Sequence, residues 1–397
     1  MSKKKKRIAI VFEDKLHLQL GVFNAALNRA RYLMRHDEFE VDVYMLQVYD
    51  GWFVRWLRRS ERIDNRPEQV VVEGVPIHLI WFKRDIRDSF RHRVLHGEPR
   101  HFIDFLKLTA RRLEGYDLVT AHDRMGGEIA EEAGRLFGIP WFVTWHGGNS
   151  VTVMLDDPVL RRIATRLLEG ATCNFFVSRG LVDIMREFTP NFRADVLLNG
   201  ANDTFVRLPD AERQALRARY GVDDGAPVVA FVGRFEPVKN PLMLPEIFSA
   251  IQRKWGGKVH FWAIGGGELL DQTRQLMAQH SELECTFMGQ VARAEMPRVM
   301  NCMDLLALPS SLEGLPLVTI EAMSCGAHVV ASDVAGTAEA VGRDNAFALD
   351  DDFVERLTDR GVAMLRGEVS QSLPPEVSWE ATARKEAAIY RAQFIKE

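Results

Sequence analysis

Short runs of β-branched and aromatic residues, scarcely broken by polar ones, recur along the whole chain, and helical patterns fill the intervals between them. In the first half these runs are 7–12, 41–46, 75–82, 118–122, 141–145, 173–178 and 195–198. In the second they are 228–234, 259–265, 286–289, 305–309 and 328–332. A strand with one wet face alternates apolar and polar residues. A near-continuous apolar run suits a parallel strand covered by helices on both faces. Strands alternating with helices build doubly wound α/β sheets, which hold ligands at the carboxyl ends of their strands. Several of these runs end in Gly, His, Ser or Asp, the residue types a ligand site there would use.

At 397 residues the chain exceeds one ordinary core and predicts two domains. Asn199-Gly200 and Pro209-Asp210 punctuate the junction, and a second sheet begins at Val228. A last helix, from about Trp379, follows the second sheet and has the choice of either domain. No stretch approaches the roughly 20 apolar residues of a membrane helix. The basic run from Lys3 to Arg7 precedes only five apolar residues before Glu13 and Asp14, too few for a signal-peptide core, so it reads as a first strand of a cytoplasmic protein. Cys173, Cys285, Cys302 and Cys325 are widely spaced without a CxxC, as free thiols in a reducing compartment would be. The net charge of −4 argues against nucleic acid as a partner. Base is concentrated at 51–112, with 14 Lys+Arg against 8 Asp+Glu, which suits an anionic surface.

Two segments carry the chemistry. The first runs from Ser310 to Gly326 and reads as strand end, loop, helix and stop. Pro316 suits a first helical position and Gly326 a C-terminal cap. Glu313 lies in the loop and Glu321 in the helix. The backbone of Gly314, Leu315, Leu317 and Val318 lies at the helix N-terminus, where free N–H groups and the positive dipole end suit a diphosphate. Glu321 is then placed to accept from a ribose and Glu313 from sugar hydroxyls. The plainer alternative is a capped surface helix with two solvated glutamates. The second segment is Gly233-Arg234-Phe235-Glu236-Pro237-Val238-Lys239, after an apolar strand. Gly233 admits a ligand to the backbone. Arg234 grips phosphate as a fork and Lys239 acts as a point charge. Its plainer alternative is a surface pair of Arg234 with Glu236.

Together these segments resemble the GT-B-fold glycosyltransferases of family four, the group 1 transferases. Gly233-Arg234…Lys239 is similar to that family's phosphate-binding pair, and Glu313 with Glu321 to its Glu-x7-Glu motif. Thr286 to Val291 resembles the loop that holds the nucleotide base through its backbone, which makes Gly289, Gln290 and Val291 donor-binding residues. Gly265-Gly266-Gly267-Glu268 resembles the family's glycine loop. In the first half, Tyr116 to Asp123 is similar to the "DVVHAHD" strand and Thr144-Trp145-His146-Gly147 to "T-x-H-G". Val177-Ser178 and Asn199-Gly200-Ala201-Asn202 stand where the family has "VS" and "NGVD", and Ser378-Trp379-Glu380 opens a closing helix.

The resemblance implies two Rossmann-like domains facing a central cleft. Residues 1–204, joined by the closing helix 379–397, would bind acceptor, and 205–378 would bind the donor. It implies retaining transfer of a hexosyl group from a nucleotide sugar, UDP by default with GDP open, to a glycan or lipid-linked acceptor in bacterial surface polysaccharide or glycolipid synthesis. Arg234 and Lys239 would do the neutralising that a metal does elsewhere, so neither metal nor cofactor is expected. His146, Arg234, Lys239 and Glu313 are the implied catalytic residues. Departures are a single glycine, Gly21, after the first strand where two are frequent, Asn202 in place of Asp, and Pro316, which has no N–H to give.

Asp123 is a candidate for orienting the acceptor or for capping a helix, and His122 reads as structural. Asp350-Asp351-Asp352 contains a D-x-D, the mark of metal-dependent transferases of another fold, but its place before a helix reads as a solvated cap, and Asp156-Asp157 is similar. Trp52-Phe53-Val54-Arg55-Trp56-Leu57-Arg58-Arg59 is basic and aromatic and suits peripheral contact with an anionic membrane, or an ordinary helix with its aromatics in the core. The competing functions are a catalytically silent GT-B scaffold, another nucleotide-sugar enzyme of this fold such as an epimerase or phosphorylase, and a dehydrogenase. The last has only Gly265–Gly267 in its favour, and that is not a G-x-G-x-x-G after a first strand.

Overall fold

A computed structural model describes residues 4–16, 21–59, 62–84, 100–147, 157–222 and 225–395. The chain forms two compact units, Met1–Leu198 with Trp379–Glu397, and Asn199–Ser378. Residues 199–204, placed in the first domain by the sequence division, belong to the second. There the Asn202 carboxamide and carbonyl accept from the backbone N–H groups of Thr204 (3.3 Å) and Phe205 (2.9 Å), closing a turn that leads into the second unit.

The first unit is built on β1 (Lys6–Glu13), β2 (Phe39–Asp50), β3 (Gln69–Val72), β4 (Val75–Arg84), β5 (Leu118–His122), β6 (Trp141–Trp145), β7 (Cys173–Phe176) and β8 (Ala194–Val196). Their order across the sheet is β3-β4-β2-β1-β5-β6-β7-β8. Every neighbouring pair is parallel except the β3–β4 hairpin. Ile8 to Phe12 are wholly buried, as a strand covered on both faces requires. The helix Trp379–Phe394 completes this core, since Ala387 and Tyr390 pack with Phe142 and Phe175. Arg29, in the helix Gly21–Leu33, is 2% exposed and donates to Glu386 of the closing helix at 2.9 and 2.5 Å and to the Thr144 hydroxyl.

The second unit has β9 (Val228–Val232), β10 (His260–Ile264), β11 (Cys285–Gly289), β12 (Leu305–Leu308), β13 (His328–Ser332) and β14 (Ala346–Phe347), all parallel. Their order, β11-β10-β9-β12-β13-β14, is the doubly wound order with the chain reversing direction between β9 and β12. In the first sheet the corresponding reversal falls between β1 and β5. Ligands of such sheets collect at these reversal points, where the helices diverge and leave a crevice.

Two strands are absent from the sequence reading. β3 is four residues long and pairs with β4 through a two-residue turn in which Glu73 has φ 48° and Gly74 φ 81°. Glu-Gly is a weaker turn signal than Asn-Gly or Asp-Gly, so the hairpin does not announce itself. β14 has only two residues.

Candidate functional site

The exits of β9 and β12 lie next to each other at the reversal point of the second sheet. After β9 the chain makes a 3₁₀ turn, Pro237–Lys239, fastened to the β12 exit. The Ser311 N–H donates to Val238 O (2.8 Å), and Asn240 Nδ2 donates to Pro309 O (2.9 Å). That fastening brings the Lys239 ammonium onto the Glu313 carboxylate, a charge-assisted bond between residues 74 apart in sequence. The Lys239 side chain is 18% exposed and that of Glu313 9%. Arg234 is half-exposed and donates to Glu236 Oε1 at 2.7 Å. The surface pair weighed as an alternative for Arg234 thus exists alongside the Lys239–Glu313 pair.

The glycine loop has a structural task. Gly265 has φ 134°, and a Cβ there would lie 1.9 Å from Gly233 O. Gly267 has φ 151°, with a Cβ 2.5 Å from Phe235 O. The β10 exit is hydrogen-bonded against the β9 exit through Gly233 N–H to Ile264 O (3.0 Å) and Phe235 N–H to Gly266 O (2.9 Å). These glycines let two backbones touch and so fix Gly233 and Arg234. Gly289 closes β11, and its carbonyl accepts from Gly265 N–H (2.8 Å). Beyond it Gln290 is exposed and Val291 half-buried, so the base-loop candidates are accessible.

Pro316 is the residue before the helix Leu317–Ser324, not its first residue. Its extended backbone, ψ 105°, directs its carbonyl to Thr319, which donates both N–H (3.1 Å) and hydroxyl (2.7 Å). The first-turn N–H groups of a helix lack intrahelical acceptors, so Leu317 and Val318 keep backbone donors for a ligand. Gly314 and Leu315, in the loop before the helix, are buried, and Val318 packs on the core of this unit. The helix stops as expected at Gly326, with Gly326 N–H to Met323 O (3.0 Å) and Ala327 N–H to Ala322 O (3.0 Å). Glu321 is recessed but retains accessible surface. Burial pushes its carboxyl up to about 7, against the opposing pull of the Arg293 guanidinium.

In the first unit β5 ends in His122 and β6 in Trp145, with His146 next. His122 Nδ1 and His146 Nε2 are 2.7 Å apart. Asp123 opens the helix Asp123–Phe137 with φ 54° and is not its cap, a position His122 takes. The Asp123 carboxylate instead accepts from the His146 backbone N–H at 3.2 Å, binding the β5 and β6 exits together. Burial raises Asp123 to about 7. The His146 N–H works against that, and Glu13 and Asp14 reinforce it. Burial and the Arg29 cation depress His146 to about 3, so its ring is neutral at ordinary pH. Asp14 accepts from Phe23 N–H at 2.8 Å and so holds the start of the helix that Gly21 opens. A Cβ on Gly21 would meet nothing within 4 Å. His122, expected only to be structural, is bonded to His146, and a histidine closing a strand next to the reversal point was the signal available.

Asp350 accepts from Asp352 N–H (3.1 Å) and pairs with Arg356 (2.6 Å) in front of the helix Phe353–Leu365, the geometry of a solvated helix start. Asp156 lies outside the described residues. Trp52 and Trp56, on the short helix Trp52–Arg58, are 74% and 72% exposed, so these aromatics are not core. Among the described residues, no helix is long and apolar enough to cross a membrane.

Both halves of the chain match glycosyltransferase families. Residues 226–366 match the model described as "Glycosyl transferases group 1" and residues 21–200 the "Glycosyl transferase 4-like domain". Among similar curated proteins, the D-inositol 3-phosphate glycosyltransferase of Nocardia farcinica is 31% identical over 62% of this chain, which spans 58% of that protein. The protein of the same name from Segniliparus rotundus is 26% identical over 86% of this chain and 81% of its own length. Among solved structures, sucrose-phosphate synthase of Thermosynechococcus elongatus superimposes with a TM-score of 0.71 at 18% identity, covering 99% of this chain and all of that one. Anabaena HepE, in complex with UDP and glucose, gives a TM-score of 0.64 at 17% identity, covering 97% of this chain and 99% of its own. The chain therefore belongs to the group 1 glycosyltransferases and has their GT-B fold.

Proposed function

We propose that this protein transfers a hexosyl group from a nucleotide sugar, UDP-linked in the first instance, to a hydroxyl acceptor, with retention of configuration and without a metal ion. The observation that carries this reading is the meeting of Lys239 and Glu313 at the reversal point of the second sheet, with Arg234 and Glu321 on the segments that flank it. A departing diphosphate gains negative charge as the glycosidic bond stretches. Fixed cations and helix-end N–H groups stabilise that charge most in the transition state. In this reading Arg234 and Lys239 neutralise the diphosphate together with the N–H groups of Leu317 and Val318. Glu321 accepts from the ribose, Glu313 from the sugar, and the backbone of Gly289 to Val291 holds the base. Gly21 and Gly233 leave room for the donor, and His146 meets a hydroxyl of the transferred sugar.

The acceptor is read as a glycan or lipid-linked molecule, with Asp123 as its orienting residue. The relatives named above for D-inositol 3-phosphate add a phosphorylated polyol to the choices. The exposed Trp52 and Trp56, beside Arg55 and Arg59, support a second element, peripheral docking on anionic lipid. Cosedimentation with phosphatidylglycerol vesicles, lost in Trp52→Ser/Trp56→Ser, tests it.

The deciding experiment is nucleotide release from UDP-, GDP-, ADP- and CMP-sugars, with inositol 3-phosphate and lipid-linked glycans as acceptors, with and without chelator, and with Glu313→Ala as control. Release of one nucleotide, indifferent to chelator and lost in the variant, supports the reading, and an axial or equatorial product bond matching the donor supports retention. Absence of both release and nucleotide binding would leave the silent scaffold.

A further inference from the structure

His122 is 1% exposed, and its ring plane lies within 8° of that of His146. With Nδ1 of one ring 2.7 Å from Nε2 of the other, one proton must occupy the space between them. Two facing N–H groups would repel, and two facing lone pairs would leave no bond. Burial and Arg29 hold both rings below their ordinary pKa, so each carries a single proton and the tautomer of one dictates the tautomer of the other. Among the described residues, the remaining nitrogen of His122, Nε2, is buried without a hydrogen-bond partner. A buried acceptor without a partner is tolerated more often than a buried N–H without one. That places the His122 proton on Nδ1.

We infer that His122 is a positioning residue whose Nδ1–H donates to His146 Nε2, thereby locking the His146 ring in the Nδ1–H tautomer with a hydrogen-bond donor as its outward group. The inference rests on the proposed role of His146 and deepens it. A ring held this way gives a hydrogen bond to a substrate oxygen and has no lone pair with which to remove an acceptor's proton. The β5–β6 strand pairing and the Asp123 bond to the His146 N–H hold the backbone, and His122 holds the ring.

Long-range ¹H–¹⁵N spectra of the full-length protein at pH 7.5 read the tautomer directly and need no turnover. The expected result is a proton on His146 Nδ1 in the wild type, and a mixture of tautomers in His122→Phe, which keeps a planar ring but no donor. A proton on Nε2 of His146 in the wild type overturns the inference, whether or not either variant folds. In transfer assays His122→Phe should lower kcat about 10–100-fold, the usual cost of losing an orienting partner, with the donor KM within about twofold. His122→Asn, whose amide N–H stands near the Nδ1 position, should recover most of that loss. Wild-type kcat in His122→Phe also overturns it. A wild type that transfers no sugar yet shows the Nδ1–H tautomer counts against the proposed function and leaves the tautomer assignment standing.

Discussion

The Lys239 ammonium is bonded to the Glu313 carboxylate across the reversal point of the second sheet. In the proposed reading, the cation assigned to the diphosphate is therefore already neutralised by Glu313, and Arg234 is likewise occupied by Glu236. An incoming donor has to displace carboxylates. Glu313→Gln should lower turnover about 10²–10³-fold, the usual effect of losing a transition-state contact, while free UDP binds at least as tightly as to the wild type. Calorimetric titration and steady-state rates check both halves. Unchanged turnover would remove Glu313 from the site.

The same pair predicts a stability pattern. Lys239→Ala leaves the Glu313 carboxylate short of its partner in a nearly closed position, a loss of about 1–3 kcal/mol. It should also weaken UDP binding. Adding Glu313→Gln to Lys239→Ala should restore most of the stability but none of the binding. Denaturant titrations of the four proteins form the cycle that measures the coupling.

Glu321 sets a pH dependence. Its carboxyl is raised from an ordinary 4.5 to about 7 by burial. Between those values the native state holds a proton the unfolded chain has released, so this residue's contribution to stability falls as pH rises from 4.5 through 7. Glu321→Gln should flatten that fall and raise Tm relative to wild type at pH 8. It should weaken nucleotide binding at the same pH. In the wild type, nucleotide affinity should increase as pH passes 7 and the carboxylate forms. A Tm difference independent of pH would contradict the raised value.

Arg29 and Glu386 form a buried pair between the helices Gly21–Leu33 and Trp379–Phe394. Breaking it from one side, as in Arg29→Met, strands a carboxylate in the core and should cost about 3–5 kcal/mol. Replacing both, Arg29→Met/Glu386→Leu, should recover much of that. Thermal melts of the single and double variants decide it.

Gly265→Ala should prevent correct folding of the second unit, because its Cβ would lie 1.9 Å from Gly233 O. Gly21→Ala should leave Tm unchanged, since its Cβ meets nothing within 4 Å. Any loss of donor affinity in Gly21→Ala would then report on the ligand and not on the fold.

The parallel sheets were legible because their strands, such as 118–122 and 141–145, are apolar on both faces and helices separate them. Glu313, Glu321, Arg234 and Lys239 were legible as types at spacings, and so was the alternative Arg234–Glu236 pair, which is local. What pairs over distance was not. Nothing in the neighbourhood of Lys239 names Glu313, and nothing near Arg29 names Glu386, 357 residues away. Gly265–Gly267 invited a ligand reading because glycine marks any close approach, whether to a phosphate or to another backbone. His122 was read as packing because a buried histidine at a strand end has the same sequence signature whether or not it bonds a second histidine.

The closing helix has a consequence for synthesis. Residues 199–378 are continuous in the chain, so the second unit has everything it needs before the last residues leave the ribosome. The first unit, though made earlier, lacks the Tyr390 ring against Phe142 and Phe175 and the carboxylate that neutralises Arg29 until the final segment emerges. The domain translated first is thus the domain finished last, and a premature stop ahead of Trp379 would release one complete unit joined to one with an open seam and an unpaired charge.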